Sequence, residues 1–345
     1  MSLTIEQIKE RCPRFRILVI GRRNAGKTTI LKKMCNSDGS DLRIVDRNGN
    51  KVDPSILEPD RQRGMSDIEN EITFESNRLF MFHDSRGIEA GAEHDENSPL
   101  CTDSLWEFLD KRSREPRIRD QIHAVWMCIP MDNPRAPSSE FELAFFNARA
   151  SPVPVIAVFT KFEALIDEAY NDLPEDDLSD TEKEKNASRD AQSKFDKTVR
   201  KAIENTAHPP DQFVQLQYLN EERTGCAGLI EATYAAIRDE TLSDLFAMAQ
   251  RSSFLGRMQE DHGFNNVSTM ACNSVEIVWT EMWKSGAGTV DPTGVGKQKE
   301  NTGYHDRVHC KVHATLENLS GRSGLPGLPC TDWHPRVPCT VMCRP

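Results

Sequence analysis

Short apolar runs alternate with helix-like segments along the first 250 residues of the chain. The first run, residues 15–21 (FRILVIG), ends in glycine and is predicted to be a buried strand. Similar runs predict strands at residues 71–76, 79–84, 123–130, 153–160 and 213–219. Helical periodicity predicts helices at residues 26–35, 104–113, 138–149 and 229–250. The alternation favours an α/β fold, with a mostly parallel sheet covered by helices on both faces.

A further, charged helix is predicted before the last strand. Its N-terminus is assigned to a capping box formed by Thr181 and Glu184. Apolar residues then recur at helical spacing and predict one buried stripe on this helix. The stripe consists of Ala187, Ala191, Phe195, Val199 and Ile203.

The link between the strands predicted at 71–76 and 79–84 is only Asn77 and Arg78. Such a link can join only antiparallel neighbours, because a parallel return needs a dozen residues or more. One antiparallel edge strand is therefore predicted beside the parallel sheet. The polar stretch between residues 36 and 70 is too long for an ordinary connection and is expected to be functional.

Periodicity fades beyond about residue 255, where Gly, Pro and Ser cluster. The pattern predicts an N-terminal extension over residues 1–13, an α/β domain over 14–254 and a low-order tail over 255–345. This irregular tail is expected to be either disordered or an artefact of gene prediction. Its histidines and cysteines follow no spacing that is typical of zinc ligands.

Composition narrows the classes of protein to consider. Charged residues make up 28% of the 345 positions and hydrophobic ones 37%, which is typical of a globular protein. The net charge of −11 and the lack of a basic stripe argue against nucleic acid as a partner. No apolar run approaches 18 residues, so no membrane span is predicted. A cytoplasmic location is expected, and with it buried free thiols at Cys12, Cys35, Cys101, Cys128 and Cys226.

Residues 21–28 read GRRNAGKT, a complete G-x-x-x-x-G-K-[ST] pattern between the first strand and the first helix. Such a loop turns backbone N–H groups toward phosphates and needs glycine where a side chain would collide. Lys27 is expected to bridge the β- and γ-phosphates, and the Thr28 hydroxyl is expected to ligate Mg²⁺. The predicted nucleotide contacts in this loop are Gly21, Arg23, Asn24, Ala25, Gly26, Lys27, Thr28 and Thr29.

A second phosphate-side pattern, D-x-x-G, begins at Asp84 and ends at Gly87, where the strand 79–84 ends. Asp84 is expected near the Mg²⁺, through water, and the Gly87 N–H is expected near the γ-phosphate. Both join Lys27 and Thr28 in the predicted catalytic set. The alternative is an ordinary strand-to-turn junction. The next residue, Ile88, has no polar group to orient a water molecule, so slow hydrolysis of a bound triphosphate is expected.

Together these residues resemble the G domain of translation-factor-class GTPases, especially the septin and Era-like branch, whose loop reads GRxNxGK[ST]. Residues 63–74 (RGMSDIENEITF) and 82–87 (FHDSRG) are most similar to uncharacterised fungal G-domain proteins. The resemblance covers roughly residues 14–250 and implies a three-layer P-loop NTPase fold that binds GTP or GDP with Mg²⁺. It also implies a switch hydroxyl on the metal, for which Ser66 is the first candidate and Thr73 the second.

Residues 158–165 (VFTKFEAL) resemble the [NT]-K-x-D loop that holds guanine in this family, and they assign Thr160, Lys161 and Glu163 to the base. In the family an Asp accepts hydrogen bonds from guanine N1–H and N2–H₂. Glu163 keeps both oxygens but is one methylene longer, which is expected to weaken discrimination between bases. The alternative is that Glu163 merely begins the next helix. Cys226 is assigned by position alone to donate its N–H to guanine O6.

Three functions remain open at this stage. The first is a Mg²⁺-dependent guanine-nucleotide-binding switch or assembly protein that hydrolyses GTP slowly, with a homodimer or an effector protein as partner. The second is a pseudo-GTPase scaffold, which Ile88 and Glu163 favour. The third is an ATP-using P-loop enzyme, against which the antiparallel hairpin and the base loop count. Arg23 and Arg86 could face the nucleotide or a partner subunit.

Overall fold

The computed structural model describes residues 4–22, 24–54, 67–85, 101–132, 140–148, 150–173, 179–221 and 224–262. The strands are β1 Phe15–Gly21, β2 Leu42–Val45, β3 Lys51–Val52, β4 Glu71–Phe74, β5 Asn77–Asp84, β6 Ala124–Pro130, β7 Val155–Thr160 and β8 Gln212–Gln215. The helices are α1 Ile5–Arg11, α2 Lys27–Cys35, α3 Cys101–Ser113, α4 Glu140–Ala148, α5 Glu163–Asn171, α6 Asp180–Phe195, α7 Lys201–Glu204, α8 Ala227–Ala236 and α9 Glu240–His262.

The strands form one sheet in the order β3-β2-β4-β5-β1-β6-β7-β8. Neighbours from β5 to β8 pair in parallel, which confirms the α/β fold with a mostly parallel sheet. From β5 outward, β4, β2 and β3 are joined by antiparallel pairings. The antiparallel edge is therefore larger than the single strand predicted, because residues within the polar stretch 36–70 form the hairpin β2–β3.

The core lies on both faces of the sheet because side chains alternate along each strand. Ile17 and Val19 of β1 belong to an apolar cluster shared with α1, α2, α8 and α9. Leu18 and Ile20 belong to a second cluster, which α3, α4, α5, α6 and α7 cover from the opposite face. Helices therefore cover both faces of the sheet, which confirms the predicted three-layer fold.

Helices belong to the packed domain on the far side of both predicted domain boundaries. In α1, Ile8 is buried in the same cluster as Phe15 of β1, so the predicted N-terminal extension contributes to the core. At the other end α9 runs from Glu240 to His262, and the boundary predicted after residue 254 falls inside this helix. The predicted tail beyond His262 lies outside the described residues.

The apolar stripe predicted on α6 is confirmed, and every one of its five side chains is at most 1% exposed. Its residues are spaced four apart, so each step overshoots a 3.6-residue turn by about 40°. A π turn over Asp196–Arg200 joins α6 to α7. Because a π turn holds more residues than an α turn, it offsets part of this drift and keeps Val199 and Ile203 facing the core.

The capping box predicted for this helix was placed two residues too late. The Ser179 hydroxyl accepts a hydrogen bond from the Glu182 backbone N–H, and the Glu182 carboxylate accepts one from the Ser179 N–H. Thr181 and Glu184 lie inside α6 instead. The sequence SDTEKE contains the S/T-x-x-E pattern twice, and the earlier copy is the one that caps.

The single helix predicted over residues 229–250 is wrong, because two helices occupy this region. The backbone is extended at Ile237, which ends α8. Asp239 then caps α9, and its carboxylate accepts a hydrogen bond from the Leu242 N–H at 2.9 Å. An aspartate placed just before an acidic first turn was the available signal for this second N-terminus.

Strand β8 ends at Gln215, earlier than the predicted residue 219. Tyr218 has a φ of +50°, which no regular strand allows. Of the predicted buried thiols, Cys12, Cys35, Cys128 and Cys226 are buried and form no disulfide among the described residues, while the side chain of Cys101 lies outside these residues. None of the helices in the described ranges combines the length and apolarity that crossing a membrane requires.

Candidate functional site

The phosphate loop connects the end of β1 to the start of α2, at the carboxyl edge of the parallel strands where α/β proteins bind ligands. A Cβ added to Gly21 would lie 2.5 Å from the Cys128 carbonyl oxygen, so the loop leaves the sheet against β6 with no room for a side chain. Gly26 has a φ of +76° and stands directly before α2. Both glycines of the pattern are therefore required by the backbone path.

Lys27 is buried in the loop and holds its shape. Its Nζ donates hydrogen bonds to the carbonyl oxygens of Gly21, at 2.9 Å, and Arg22, at 3.0 Å. The same ammonium lies 3.9 Å from Asp84 Oδ1. The fold thus brings together the lysine of one predicted phosphate motif and the carboxylate of the other.

Asp84 ends β5 and is level with Val19 of the neighbouring β1. Burial raises the pKa of its carboxyl to about 6, although the positive charge of Lys27 opposes this rise. Within the described part of the chain, neither Asp84 Oδ1 nor the Ser85 hydroxyl has a hydrogen-bond partner. A buried carboxylate oxygen without a hydrogen-bond donor is a position that a cation would satisfy.

The oxygen ligands at this site suit Mg²⁺ better than a metal ion that is coordinated entirely by protein side chains. The described ranges contain no cluster of three or more His, Cys, Asp or Glu side chains that could hold a metal ion. Mg²⁺ usually takes one or two protein oxygens and completes its shell with water and phosphate. Asp84, at the end of β5, and Thr28, in the first turn of α2, offer oxygens of this kind.

His83, beside Asp84, is a neutral structural residue. Its Nδ1–H donates to the Ile68 carbonyl at 2.9 Å, and its Nε2 accepts from Arg16 at 3.2 Å. Burial is the main reason that the pKa of His83 falls to about 4. The imidazole thus fastens the segment before β4 to the strand that carries Asp84.

The predicted base loop packs directly on the phosphate loop. Thr160, the last residue of β7, is fully buried, and its hydroxyl donates to the Ala25 carbonyl at 3.1 Å. Lys161 follows with a φ of +55°, and its ammonium pairs with Asp132, two residues beyond the end of β6. Asn24, with a φ of +61°, is exposed on the phosphate loop.

Glu163 begins α5, as the alternative interpretation expected, and its carboxylate also makes a specific contact. Its Oε2 accepts the Tyr218 backbone N–H at 3.0 Å. Tyr218 lies in the connection between β8 and α8, and its side chain is 41% exposed. Cys226 ends the same connection, immediately before α8, and is 5% exposed. No sequence pattern marks Tyr218 as a partner of Glu163, because the sequence predicts it to be part of the strand at residues 213–219.

A buried ion pair that the sequence did not predict anchors the phosphate loop to α4. Arg22 Nε donates to Glu142 Oε1, and Arg22 Nη2 donates to Glu142 Oε2, both at 2.9 Å. The Glu142 side chain is 0% exposed and that of Arg22 is 13% exposed. Nothing in the local pattern around residue 142 distinguishes this glutamate from a surface helix residue.

Several predicted site residues are not placed by the structure. Arg23, Ser66 and Gly87 lie outside the described residues, as do Arg86 and Ile88, so their roles stay predictions. Thr73, the second candidate for the metal hydroxyl, lies within β4 opposite Arg43 of β2. Thr29, in the first turn of α2, is half-buried.

The sequence matches no protein-family model and no curated protein. Among solved structures, a septin GTPase domain from Chlamydomonas reinhardtii is 16% identical, with a TM-score of 0.32 over 66% of this chain and 70% of that one. A GDP-bound mutant of S. thermophilus NFeoB is 11% identical, with a TM-score of 0.34 over 90% and 91%. A probable GTP-binding protein, engB, is 13% identical, with a TM-score of 0.29 over 68% and 98%. These likenesses are loose, so the interpretation of the site rests on the chain's own geometry.

Proposed function

We propose that the chain is a Mg²⁺-dependent guanine-nucleotide-binding protein that hydrolyses GTP slowly and acts as a switch or assembly module. The observation that carries this proposal is the meeting of Lys27 and Asp84 at the carboxyl edge of the sheet, 3.9 Å apart. Two separate sequence patterns for triphosphate binding converge there on one point. An ordinary strand-to-turn junction would not need to place Asp84 beside this lysine.

The phosphate end of the nucleotide is assigned to the loop between β1 and α2. The N-terminus of α2 supplies backbone N–H groups and the positive end of the helix dipole. Lys27 is held by the Gly21 and Arg22 carbonyls, so its ammonium needs little reorganisation to reach a β- or γ-phosphate. In this role Lys27 orients the phosphates and neutralises part of their charge.

The metal is assigned to Thr28 and Asp84, with Ser66 as the proposed switch hydroxyl. When bound, Mg²⁺ would neutralise charge that develops on the phosphate oxygens. The chain's own part is to keep Asp84 ionised and aimed at the ion. Burial alone favours the protonated acid at Asp84, and the nearby Lys27 favours the carboxylate.

The base is assigned to the loop that contains Thr160, Lys161 and Glu163. The hydrogen bond from the Thr160 hydroxyl to the Ala25 carbonyl supports this assignment, because it keeps the two loops in contact. Glu163 is proposed to accept the guanine N1–H, and Cys226 to donate its N–H to O6. Guanine is favoured over adenine because adenine has no donor at N1 for the carboxylate.

Slow turnover is proposed from the predicted catalytic set Lys27, Thr28, Asp84 and Gly87, which positions phosphate and metal but contains no group to orient water. In the sequence, Ile88 directly follows Gly87, at the position where the family pattern would supply such a group. Without a water-orienting residue, and without an arginine supplied by a partner protein, such rates are lower by factors on the order of 10³–10⁵. A cytoplasmic location and a homodimer or effector protein as partner are part of the same proposal.

A pseudo-GTPase scaffold is the second candidate, and the bond from Glu163 to Tyr218 favours it. A carboxylate already engaged with the backbone at 3.0 Å could serve as a structural tie that needs no base. GTP turnover separates the two candidates. An ATP-using enzyme is the least favoured, because a base loop with a carboxylate acceptor suits guanine.

The test of the proposed function is binding of fluorescent GDP and ADP to the full chain with and without Mg²⁺. GDP is expected to bind in preference to ADP, and Lys27→Ala is expected to abolish binding. Lys32→Ala is the matched control on the same helix, because Lys32 Nζ contacts only the surface carbonyl of Asp38 among the bonds described. Equal binding of GDP and ADP would refute guanine recognition, and unchanged binding by Lys27→Ala would refute the phosphate site.

A further inference from the structure

We propose that Glu142, which belongs to no nucleotide-binding motif, is a positioning residue that acts through Arg22 to hold the phosphate loop in its binding shape. The proposal rests on the proposed function and adds to it a residue on α4. It concerns the affinity of the loop for the diphosphate portion of a nucleotide.

The ion pair is largely shielded from water, because the Glu142 side chain is fully buried and that of Arg22 is mostly buried. Its two parallel hydrogen bonds, both 2.9 Å long, fix the plane of the guanidinium against the carboxylate. Glu142 is 0% exposed, so its charge has to be compensated inside the protein, and Arg22 supplies a positive charge at 2.9 Å. The pair therefore ties Arg22 of the phosphate loop to α4.

The backbone that is held in this way is itself part of the phosphate site. The Arg22 carbonyl accepts a hydrogen bond from Lys27 Nζ at 3.0 Å, and the same ammonium lies 3.9 Å from Asp84 Oδ1. Glu142, Arg22, Lys27 and Asp84 thus form one continuous series of polar contacts. Displacing Glu142 is therefore expected to move the Arg22 carbonyl, which orients the Lys27 ammonium.

A role in positioning explains this pair better than a role in stability. Replacing both members of a buried ion pair by apolar residues of similar volume is often neutral or stabilising. The geometric information in the pair would nevertheless be lost, because methionine side chains impose no fixed plane or distance. The double substitution Arg22→Met with Glu142→Met therefore separates position from stability.

The experiment measures the dissociation constants of GDP and GMP for the full chain and for this double variant, together with the urea midpoint. We expect a similar midpoint and a GDP affinity at least about 10-fold weaker, the loss that supporting contacts commonly cause. GMP affinity is expected to fall less, since GMP lacks the phosphate that the loop encloses. Lys194→Met with Glu168→Met removes an exposed ion pair, 2.8 Å long, and is expected to change neither affinity.

Unchanged GDP affinity in the double variant would overturn the proposal, as would an equal loss for GDP and GMP. Should the double variant fail to fold, Glu142→Gln keeps the shape of the side chain and removes its charge. That variant is expected to weaken GDP more than GMP, and an unchanged GDP affinity there would overturn the proposal equally. A wild-type chain that binds no guanine nucleotide would instead refute the proposed function itself.

Discussion

Gly21 shows at the residue scale how tightly the start of the phosphate loop is packed. Its φ is +155°, and an added Cβ would meet the Cys128 carbonyl oxygen at 2.5 Å and the Cys128 Cβ at 3.0 Å. Backbone atoms cannot move aside as the end of a flexible side chain can. Gly49 offers a comparison, since its φ is +83° and nothing lies within 4 Å of the added atom.

Gly21→Ala is therefore expected to lower the free energy of unfolding by at least ~2 kcal/mol, because strain and a clash combine. Gly49→Ala should cost only ~1 kcal/mol, the cost of a left-handed backbone alone. Urea denaturation of both variants checks the difference. Equal losses would mean that β6 moves aside without cost at Cys128.

Glu163 leads to a prediction about base choice. One of its oxygens already accepts the Tyr218 N–H, so a single hydrogen bond from the base N1–H is expected. Guanine and hypoxanthine both carry that proton, whereas the N2 amino group of guanine then lacks a charged acceptor. The wild-type chain should thus prefer GDP over IDP by less than about 10-fold, and ADP should bind most weakly.

Glu163→Asp is expected to raise the preference for GDP over IDP to at least about 10-fold, because the shorter side chain is freed from Tyr218 and can take both donors. Competition against fluorescent GDP measures the ratio. Glu163→Gln serves as the control, since it keeps the length of the side chain and removes the charge. A strong GDP preference in the wild type would contradict this account.

The residues of the site differ in how far the sequence could reveal them. Lys27 and Asp84 each belong to a short pattern at the end of a predicted strand, and both patterns assign their residue to the phosphates and Mg²⁺, so the patterns alone predict that they meet. The contacts of Arg22 with Glu142 and of Glu163 with Tyr218 join positions far apart in the chain. Which side chain of a helix reaches a loop depends on the packing angle of that helix, and no local pattern records that angle.

At the scale of elements, single polar contacts decide how helices attach to the sheet. The fully buried indole of Trp126 in β6 donates its N–H to the Thr233 hydroxyl of α8 at 3.0 Å. The Thr233 hydroxyl in turn donates to the Leu229 carbonyl at 2.7 Å. The bond between Trp126 and Thr233 fixes the rotation of α8 over the sheet. Cys226 lies immediately before this helix.

Thr233→Val is expected to cost about 1–3 kcal/mol of unfolding free energy, because the indole N–H would stay buried without a partner. A double-mutant cycle with Trp126→Phe isolates the contact, since the double variant leaves no unpaired donor. Urea denaturation of the four proteins provides the coupling energy. A coupling near zero would show that water reaches the indole.

His123 links β1 to the 3₁₀ helix Ile118–Asp120 and makes stability depend on pH. Its Nδ1 accepts the Arg16 N–H, and its Nε2 donates to the Ile118 carbonyl. Burial is the main reason that its pKa falls from 6.5 to about 4, with the charge of Arg16 acting in the same direction and Asp239 against it. The folded state thus favours the neutral ring.

Because the unfolded chain binds this proton more readily, the stability due to His123 is complete above about pH 6.5 and is lost as the pH falls toward 4. The loss amounts to about 3 kcal/mol. His123→Asn keeps an acceptor for Arg16 and should flatten this part of the profile. Denaturation at pH 7, 5.5 and 4.5 compares the two proteins, and parallel profiles would refute the assignment.

Elements with a clear period were predictable, whereas their ends often were not. The stripe on α6 and the apolar run of β1 identify their elements because several apolar residues follow one spacing in each. The break between α8 and α9 depends on the extended backbone at Ile237 and the cap at Asp239. The strands β2 and β3 are too short, at four and two residues, for any alternation to be recognised.

For the whole molecule, the described helices leave both faces of the sheet covered, and the compact unit extends from Met1 to Asp261. A chain cut after His262 is therefore expected to unfold at the same urea midpoint as the full chain and to bind GDP equally. Binding and denaturation of the two proteins check this. A lower midpoint in the shorter chain would show that the predicted tail contributes to the core.

The antiparallel extension affects the molecule beyond its own few residues. Two successive antiparallel pairings, β2 with β4 and β4 with β5, make β2 run in the same direction as β1. Its end at Val45, and the turn that follows, therefore stand on the same side of the molecule as the phosphate loop. Three strand spacings of about 4.8 Å separate them, or roughly 14 Å. A partner protein with a contact area of ordinary size, about 800 Å² on its own side, would cover both places at once. That side of the sheet is broad enough for another protein to contact the polar turn at Asp46 while it senses the occupancy of the neighbouring loop.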